Sequence, residues 1–493
     1  MPASSASDRW RAMLRWLSWF HRWTGVAFCL AFAVWFGSGL VMLFVPFPSL
    51  PEQARLARSE VPRLAQVRVD PAAALQAAGG GTALRLIAVA GRARYVVGRE
   101  RTQVAVDATS GRLAGPLDAP TAGAVAARFA GMAADRVSAA FDYDQWVVHQ
   151  KFDAWRPFYR VAIADGAGTQ LYVSARTGDI VQRTLAWERA WNWVGSVPHW
   201  LYFTVLRQRF AAWDWTVWCL ALGALAGASA GTYLGLYRSY QRVAMRRPGW
   251  SPFRGWWRWH HGLGLAAALF VLTWIFSGWL SMDHGRLFSR GVPDPAAVER
   301  YAGMSLQSAL QPVPATALRT LQGSTELAFN VVGGHPVAVA RTGSASRVEV
   351  LDGAAGDGLR SALPPELIDA AVQRGWPQAA RRSPAARSDE LYRAADAIPA
   401  DALRYGLSAP IGADLYIDAA SGRPLLQLDT SRRIYDWVYF ALHTTRFPGL
   451  VEHPTLRRVL QVLPLLLGLA FSTTGIVLGV RRLRTSWPRS ASP

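Results

Sequence analysis

The chain has 493 residues, 51% of them hydrophobic, with 23 tryptophans and a formal net charge of +20. That length allows several domains, and the apolar share is high for a purely soluble protein. The positive charge does not mark a nucleic-acid binder, because most of it flanks long apolar stretches instead of forming one basic face.

In chain order, Arg9, Arg11, Arg15 and Arg22 precede a first apolar stretch at 24–47. A helix of about 20 such residues crosses a hydrocarbon core of about 30 Å. The stretch is too long and wrongly flanked for a cleaved signal peptide, so it reads as an uncleaved anchor. Residues 48–190 follow as a mixed region. Its segments Val104 to Gly111 and Leu171 to Gly178 read as strands running into glycine turns, and the Ala-rich stretch 121–135 predicts a helix. Next comes a Trp-rich segment containing Trp191, Trp193 and His199, then a second apolar stretch at 214–237. Arg238, Arg242, Arg246, Arg247, Arg254 and Arg258 separate it from a third at 262–282. A second mixed region repeats the strand-and-turn pattern at Leu415 to Gly422 and the helical composition at 364–380, while 340–360 fits the repeat poorly. Trp437 and His443 then lead into a fourth apolar stretch at 456–480, followed by Arg481, Arg482, Arg484 and Arg489.

Fourteen arginines against the single acid Asp8 thus fall in short segments that a four-span topology places on one side. Excess arginine in short loops marks the cytoplasmic face. The expected product is a multi-pass protein of a bacterial inner membrane with both termini cytoplasmic. Its expected segments are an N-terminus and first span (1–47), an extracytoplasmic domain (48–190), an interfacial segment and second span (191–237) and a basic cytoplasmic loop (238–258). A third span (259–282), a second extracytoplasmic domain (283–434), an interfacial segment and fourth span (435–480) and a cytoplasmic tail (481–493) complete it.

The two halves repeat one histidine pattern. His21 has Gly25 four residues on and Ser38-Gly39 seventeen residues on; His260 has Gly264 and Ser277-Gly278 at the same offsets. Trp193 precedes His199 by six residues and Trp437 precedes His443 by six, and Gly231 and Gly475 follow those histidines by thirty-two. Both halves start and end on one side, so the repeat is a parallel duplication about an axis along the membrane normal. Ionisable residues at membrane helices are by default functional, and neutral imidazole is a good ligand for haem iron. Cys29 and Cys219 are the only cysteines, both within spans, and no Cys-x-x-Cys-His is present, so a haem would be held non-covalently. Topology puts His21 with His260 near the inner face and His199 with His443 near the outer face. A helix rises about 36 Å from residue 21 to 45, so ligands at opposite ends cannot share an iron. His284, at the outer end of the third span, is a less favoured ligand. His261, also a less favoured ligand, lies about 100° round the helix from His260 and suits a supporting or interfacial place.

The Tyr-x-Asp/Ser-x-x-Thr/Ser-Gly pieces, set between membrane helices that begin with His-x-x-x-Gly and contain Ser-Gly, resemble the PepSY-associated transmembrane helix family over about residues 12–484. The resemblance implies an α+β membrane protein: four transmembrane helices carrying two extracytoplasmic PepSY-like α+β domains. It also implies transmembrane electron transfer, as in bacterial iron-regulated proteins and dihaem reductases of ferric siderophores. The expectation is two haems b on His21, His260, His199 and His443. The acceptor would be a ferric siderophore or other ferric chelate, and the donor a cytoplasmic reductase or membrane quinol. The competing class is a non-redox anchored protein that binds peptides or inhibits a protease. A permease is disfavoured by spans without internal carboxylates or breaks. Gly262-x-Gly264-x-x-Ala267 lies inside an apolar span with no strand before it, so it is not a dinucleotide fingerprint.

Overall fold

The computed structural model describes residues 6–343, 345–354, 358–382 and 389–486; Arg489 of the basic tail lies outside the described residues. The chain divides into two compact units, one of Met1–Phe47, Ala190–Phe288 and Ile434–Pro493, the other of Pro48–Arg189 and Ser289–Arg433.

The first unit is built on four helices, Ala6–Met42, Phe210–Ala244, Gly255–Ser281 and Pro454–Ser486, each long and apolar enough to cross a membrane. The first packs against the second and fourth, and the third does likewise, closing a ring of four. These helices outrun the apolar stretches, because arginine is a good helix former whose aliphatic stem can lie on an apolar surface. The first helix stops at Met42, short of the expected 47, where Pro46 and Pro48 hold the chain extended. Phe32, Phe36, Ala224, Ala267, Val271, Ile275 and Leu465 form the buried centre of the bundle. Small residues let helices approach closely there. At Gly468, an added Cβ would meet the Phe36 ring at 2.5 Å.

The second unit contains fourteen strands among the described residues. From the first mixed region come β1 (Ala83–Val89), β2 (Arg92–Gly98), β3 (Gln103–Asp107), β4 (Ala134–Val137), β5 (Phe158–Ile163), β6 (Gln170–Ser174) and β7 (Ile180–Thr184). From the second come β8 (Glu326–Val332), β9 (His335–Arg341), β10 (Ser346–Val350), β11 (Ala379–Arg382), β12 (Leu403–Leu407), β13 (Ala413–Ile417) and β14 (Pro424–Leu428). Strands β4–β7 and β11–β14 form two antiparallel four-stranded sheets. The predicted turns are present: Gly111, Gly178 and Gly422 sit at φ +74°, +84° and +67°, where a side chain would be strained. The Ala-rich helices span Ala119–Ala130 and Pro365–Gly375, shorter than composition suggests. Gly131 at φ +69° ends the first, and the residues beyond both are drawn into β4 and β11.

The sequence reads the two mixed regions as separate domains, whereas a single six-stranded sheet, β10-β9-β8-β1-β2-β3, runs through both. Its seam is the antiparallel pair β1–β8, with Leu84 opposite Phe329 and Ile87 opposite Glu326. Charge locks the same seam. Arg85 bonds Asp179 and Glu326 at 2.9 Å each, and Arg55 reaches Glu326 at 3.0 Å. Burial alone would raise the Asp179 carboxyl, but the facing Arg85 and then Arg55 pull it down to about 2. Glu326 is likewise driven up by burial and brought below its ordinary value by Arg85 and Arg55.

Both carboxyls therefore bind protons more weakly folded than unfolded. Their stabilisation is complete above the unfolded values of about 3.9 and 4.3 and is lost as pH falls through about 4 toward 2. Near-ultraviolet dichroism melts of the purified protein should show this loss. Arg85→Met should cost about 1–3 kcal/mol in chemical unfolding, since it removes the nearest partner of Asp179 and leaves Glu326 to Arg55 and Arg341. A variant as stable as the parent at pH 7 would show that the cluster contributes nothing.

Candidate functional site

The favoured histidines meet in two pairs. The His21 and His260 rings lie 6.4 Å apart between centres, with planes inclined by 34°; the His199 and His443 rings also lie 6.4 Å apart, inclined by 60°. One member of each pair comes from each half of the chain.

All four rings are held by Nδ1. His21 Nδ1 donates to the Gly227 carbonyl at 3.0 Å, which accepts only. His260 Nδ1 lies 3.0 Å from Thr474 Oγ1, whose own proton goes to the Phe471 carbonyl at 2.6 Å, so the ring nitrogen is the donor. Ser38 Oγ receives His199 Nδ1 at 2.9 Å and passes its proton to Trp35 O; Ser277 Oγ receives His443 Nδ1 at 3.2 Å and passes its proton to Trp274 O. His443 Nδ1 also reaches the Trp274 carbonyl at 3.1 Å. A ring protonated at Nδ1 keeps its lone pair at Nε2, the tautomer a metal ligand needs.

These contacts give the repeated small residues their purpose. Every ring lies against a glycine of a neighbouring helix. An added Cβ would meet Cε1 of His21 at 2.2 Å from Gly231 and of His260 at 3.7 Å from Gly475, and Cε1 of His199 at 3.4 Å from Gly39 and of His443 at 3.1 Å from Gly278. Ser38-Gly39 thus serves His199, although it shares a helix with His21, and Ser277-Gly278 serves His443. The sequence displayed these letters as a repeat, but nothing in it said which histidine each supports.

His199 closes a short helix, Ser196–His199, and His443 closes a π-helical stretch, Trp437–His443. Two residues after each, Leu201 and Thr445 take left-handed φ of 52° and 56°. Non-glycine residues are uncommon there, and such strain persists only where its surroundings enforce it. Trp193 and Trp437 are exposed, so the Trp-x5-His spacing marks the outer surface of this unit and not a wall of the site.

The His21–His260 pair opens on a cavity of about 920 Å³ lined also by Gly25, Gly264, Gly231 and Gly475. A side chain at Gly25 would meet nothing within 4 Å, whereas one at Gly264 would touch Phe471, whose ring stacks on His260 at 5.1 Å. His261 turns away from the pair, with Nδ1 on Ser251 Oγ at 2.8 Å and Nε2 on the Gly235 carbonyl at 3.0 Å. His284 joins neither pair. Its Nδ1 is 2.7 Å from Asp214, and Trp215 and Trp218 pack on its ring at 4.2 and 5.0 Å. Among the described residues, no group of three or more His, Cys, Asp or Glu is arranged to hold a metal ion. The site's donor sets are two nitrogens each.

Four membrane-length helices, two half-buried histidine pairs and a mixed helix-and-sheet unit define a multi-pass membrane protein with paired-imidazole sites. The chain belongs to the family described as the PepSY-associated TM region, whose model matches residues 18–482. Searches of curated proteins and of solved structures gave no match.

Gly231→Ala should destabilise the bundle by about 1–3 kcal/mol, because its methyl overlaps the His21 ring. Gly25→Ala, facing open space, should leave the melting temperature unchanged. Equal effects of the two substitutions would refute the packing of His21 on Gly231.

Proposed function

We propose that the bundle holds two haems b, one on His21 and His260 and one on His199 and His443. On this reading it carries single electrons across a bacterial inner membrane to a ferric complex outside, a ferric siderophore being the best candidate. The observation that carries this reading is the 6.4 Å ring separation in both pairs. Two imidazoles on one iron stand about 6.3 Å apart between centres, from metal–nitrogen bonds of about 2.0 Å and about 1.15 Å from nitrogen to ring centre. The spacing therefore fits a metal between the rings, and the Nδ1 contacts fit ligation through Nε2.

The glycine-walled cavity beside His21 and His260 suits a flat macrocycle, and its volume falls within the range of ligand sites of about 300–1,000 Å³. A haem held by each imidazole pair would supply reversible one-electron chemistry. The protein's own work is then positional. Helix backbone and hydroxyls fix each ring's tautomer and direction, and the apolar centre around Phe32, Phe36 and Val271 keeps water from between the two levels. A parallel duplication, on this reading, would set corresponding residues at one depth. On this reading the arginine excess at the helix ends supports a cytoplasmic side for the His21 and His260 level. Electrons would enter from a cytoplasmic reductase or from quinol.

The protein purified from haem-replete cells should be red, with a Soret band that sharpens and shifts on adding dithionite. A colourless, folded preparation would end the electron-transfer reading in favour of a non-redox binding protein. His21→Ala and His443→Ala should each remove about one haem of two by the pyridine haemochrome assay. Both single variants retaining two haems would break the ligand assignment. Gly25→Trp, whose Cβ would face open space in the cavity, should remove the inner haem and spare the outer one.

A further inference from the structure

The cavity beside His21 and His260 is walled by five arginines, Arg22, Arg238, Arg242, Arg247 and Arg482, and by no aspartate or glutamate. Two of them form a matched set. Arg238 stands seven residues after Gly231 and Arg482 seven residues after Gly475, two turns beyond the glycines under the two inner histidines. On the reading above, these two suit the pair of carboxylates that a haem carries. The other three have no counterpart. His261 occupies the place that corresponds to Arg22, and Ser486 the place that corresponds to Arg242.

Arg242 is posed by the loop that follows it, donating to the Pro248 and Gly249 carbonyls. Arg22 and Arg247 have no ion pair among the described residues. Phe253 and Trp257 line the same mouth, with rings 6.4 Å apart. Unpaired guanidiniums beside aromatic faces are a recognition set for a planar ring bearing a phosphate.

We infer that this mouth binds a flavin mononucleotide, its phosphate on Arg22, Arg242 and Arg247 and its ring against Phe253 and Trp257. The inference rests on the electron-transfer reading and names its donor. A one-electron site cannot take a hydride whole, so a nicotinamide is a poor direct partner, whereas a reduced flavin releases its electrons singly. The balance is one reduced flavin mononucleotide and two ferric complexes giving oxidised flavin, two ferrous complexes and two protons. The N1–H and N5–H bonds break, and their protons go to water on the flavin's side.

The test compares flavin mononucleotide with riboflavin, which lacks only the phosphate, by equilibrium dialysis against the full-length protein in detergent. The mononucleotide should bind about tenfold more tightly or better at about 50 mM salt and lose that advantage by about 500 mM. Arg242→Gln/Arg247→Ala should bring its affinity down to that of riboflavin, with riboflavin binding and haem content unchanged. Equal affinity for the two flavins in the parent protein overturns the inference without recourse to any variant. Loss of the advantage in nanodiscs containing anionic lipid, but not in neutral ones, also overturns it and assigns the arginines to lipid headgroups. The binding readout does not need haem, so a colourless protein that still prefers the mononucleotide defeats the electron-transfer reading and leaves the site.

Discussion

The arrangement depends on burying an imidazole in an apolar bundle without leaving its N–H unpaired. An unsatisfied polar group in such a place costs several kcal/mol, so each ring must find an acceptor on a neighbouring helix. The acceptors used are the nearest ones a helix can offer: a carbonyl at Gly227 and hydroxyls at Thr474, Ser38 and Ser277. Reaching them brings ring and backbone together, most closely at Gly231 and Gly278, where an added Cβ would crowd the His21 and His443 rings. The histidines, the hydroxyls and the glycines are therefore one constraint expressed three times.

That constraint explains why so much of the membrane unit was legible from composition and spacing. Long apolar runs and arginine flanks announce spans in any context, and a histidine inside such a run is expensive enough to be conspicuous. Equal offsets in two halves then suggested which residues belong together. What spacing lacked was any record of which helix faces which. Ser38-Gly39 was visible only as an appendage of His21, seventeen residues away, whereas its contact is with His199. His284 looked like a rival ligand because sequence does not show Asp214 and two tryptophans closing around it. The helix ends were also misjudged, since hydropathy stops at the arginines while the hydrogen-bond ladder does not.

The sheet unit was legible in its pieces and not in its assembly. Strand, glycine turn and Ala-rich helix are local, and each left a local signature. The seam between β1 and β8 joins segments some 240 residues apart through a few backbone pairs and a buried charge cluster. Nothing near either strand marks the other. The fold puts Arg85 and Glu326 2.9 Å apart and largely out of water.

Each imidazole pair draws one ring from either half of the polypeptide, and the first helix carries a ring for one level and the bracket for the other. Neither half contains a complete site. During synthesis the earlier pair waits for residue 260, and its bracket at Thr474 follows 214 residues later. The later pair waits for residue 443. A product that stops before residue 260 therefore holds neither pair, and one that stops before the fourth helix lacks the bracket of His260. The same geometry makes the gene divisible: cut at the loop after residue 244, two polypeptides in equal number would hold every contact that the single chain holds.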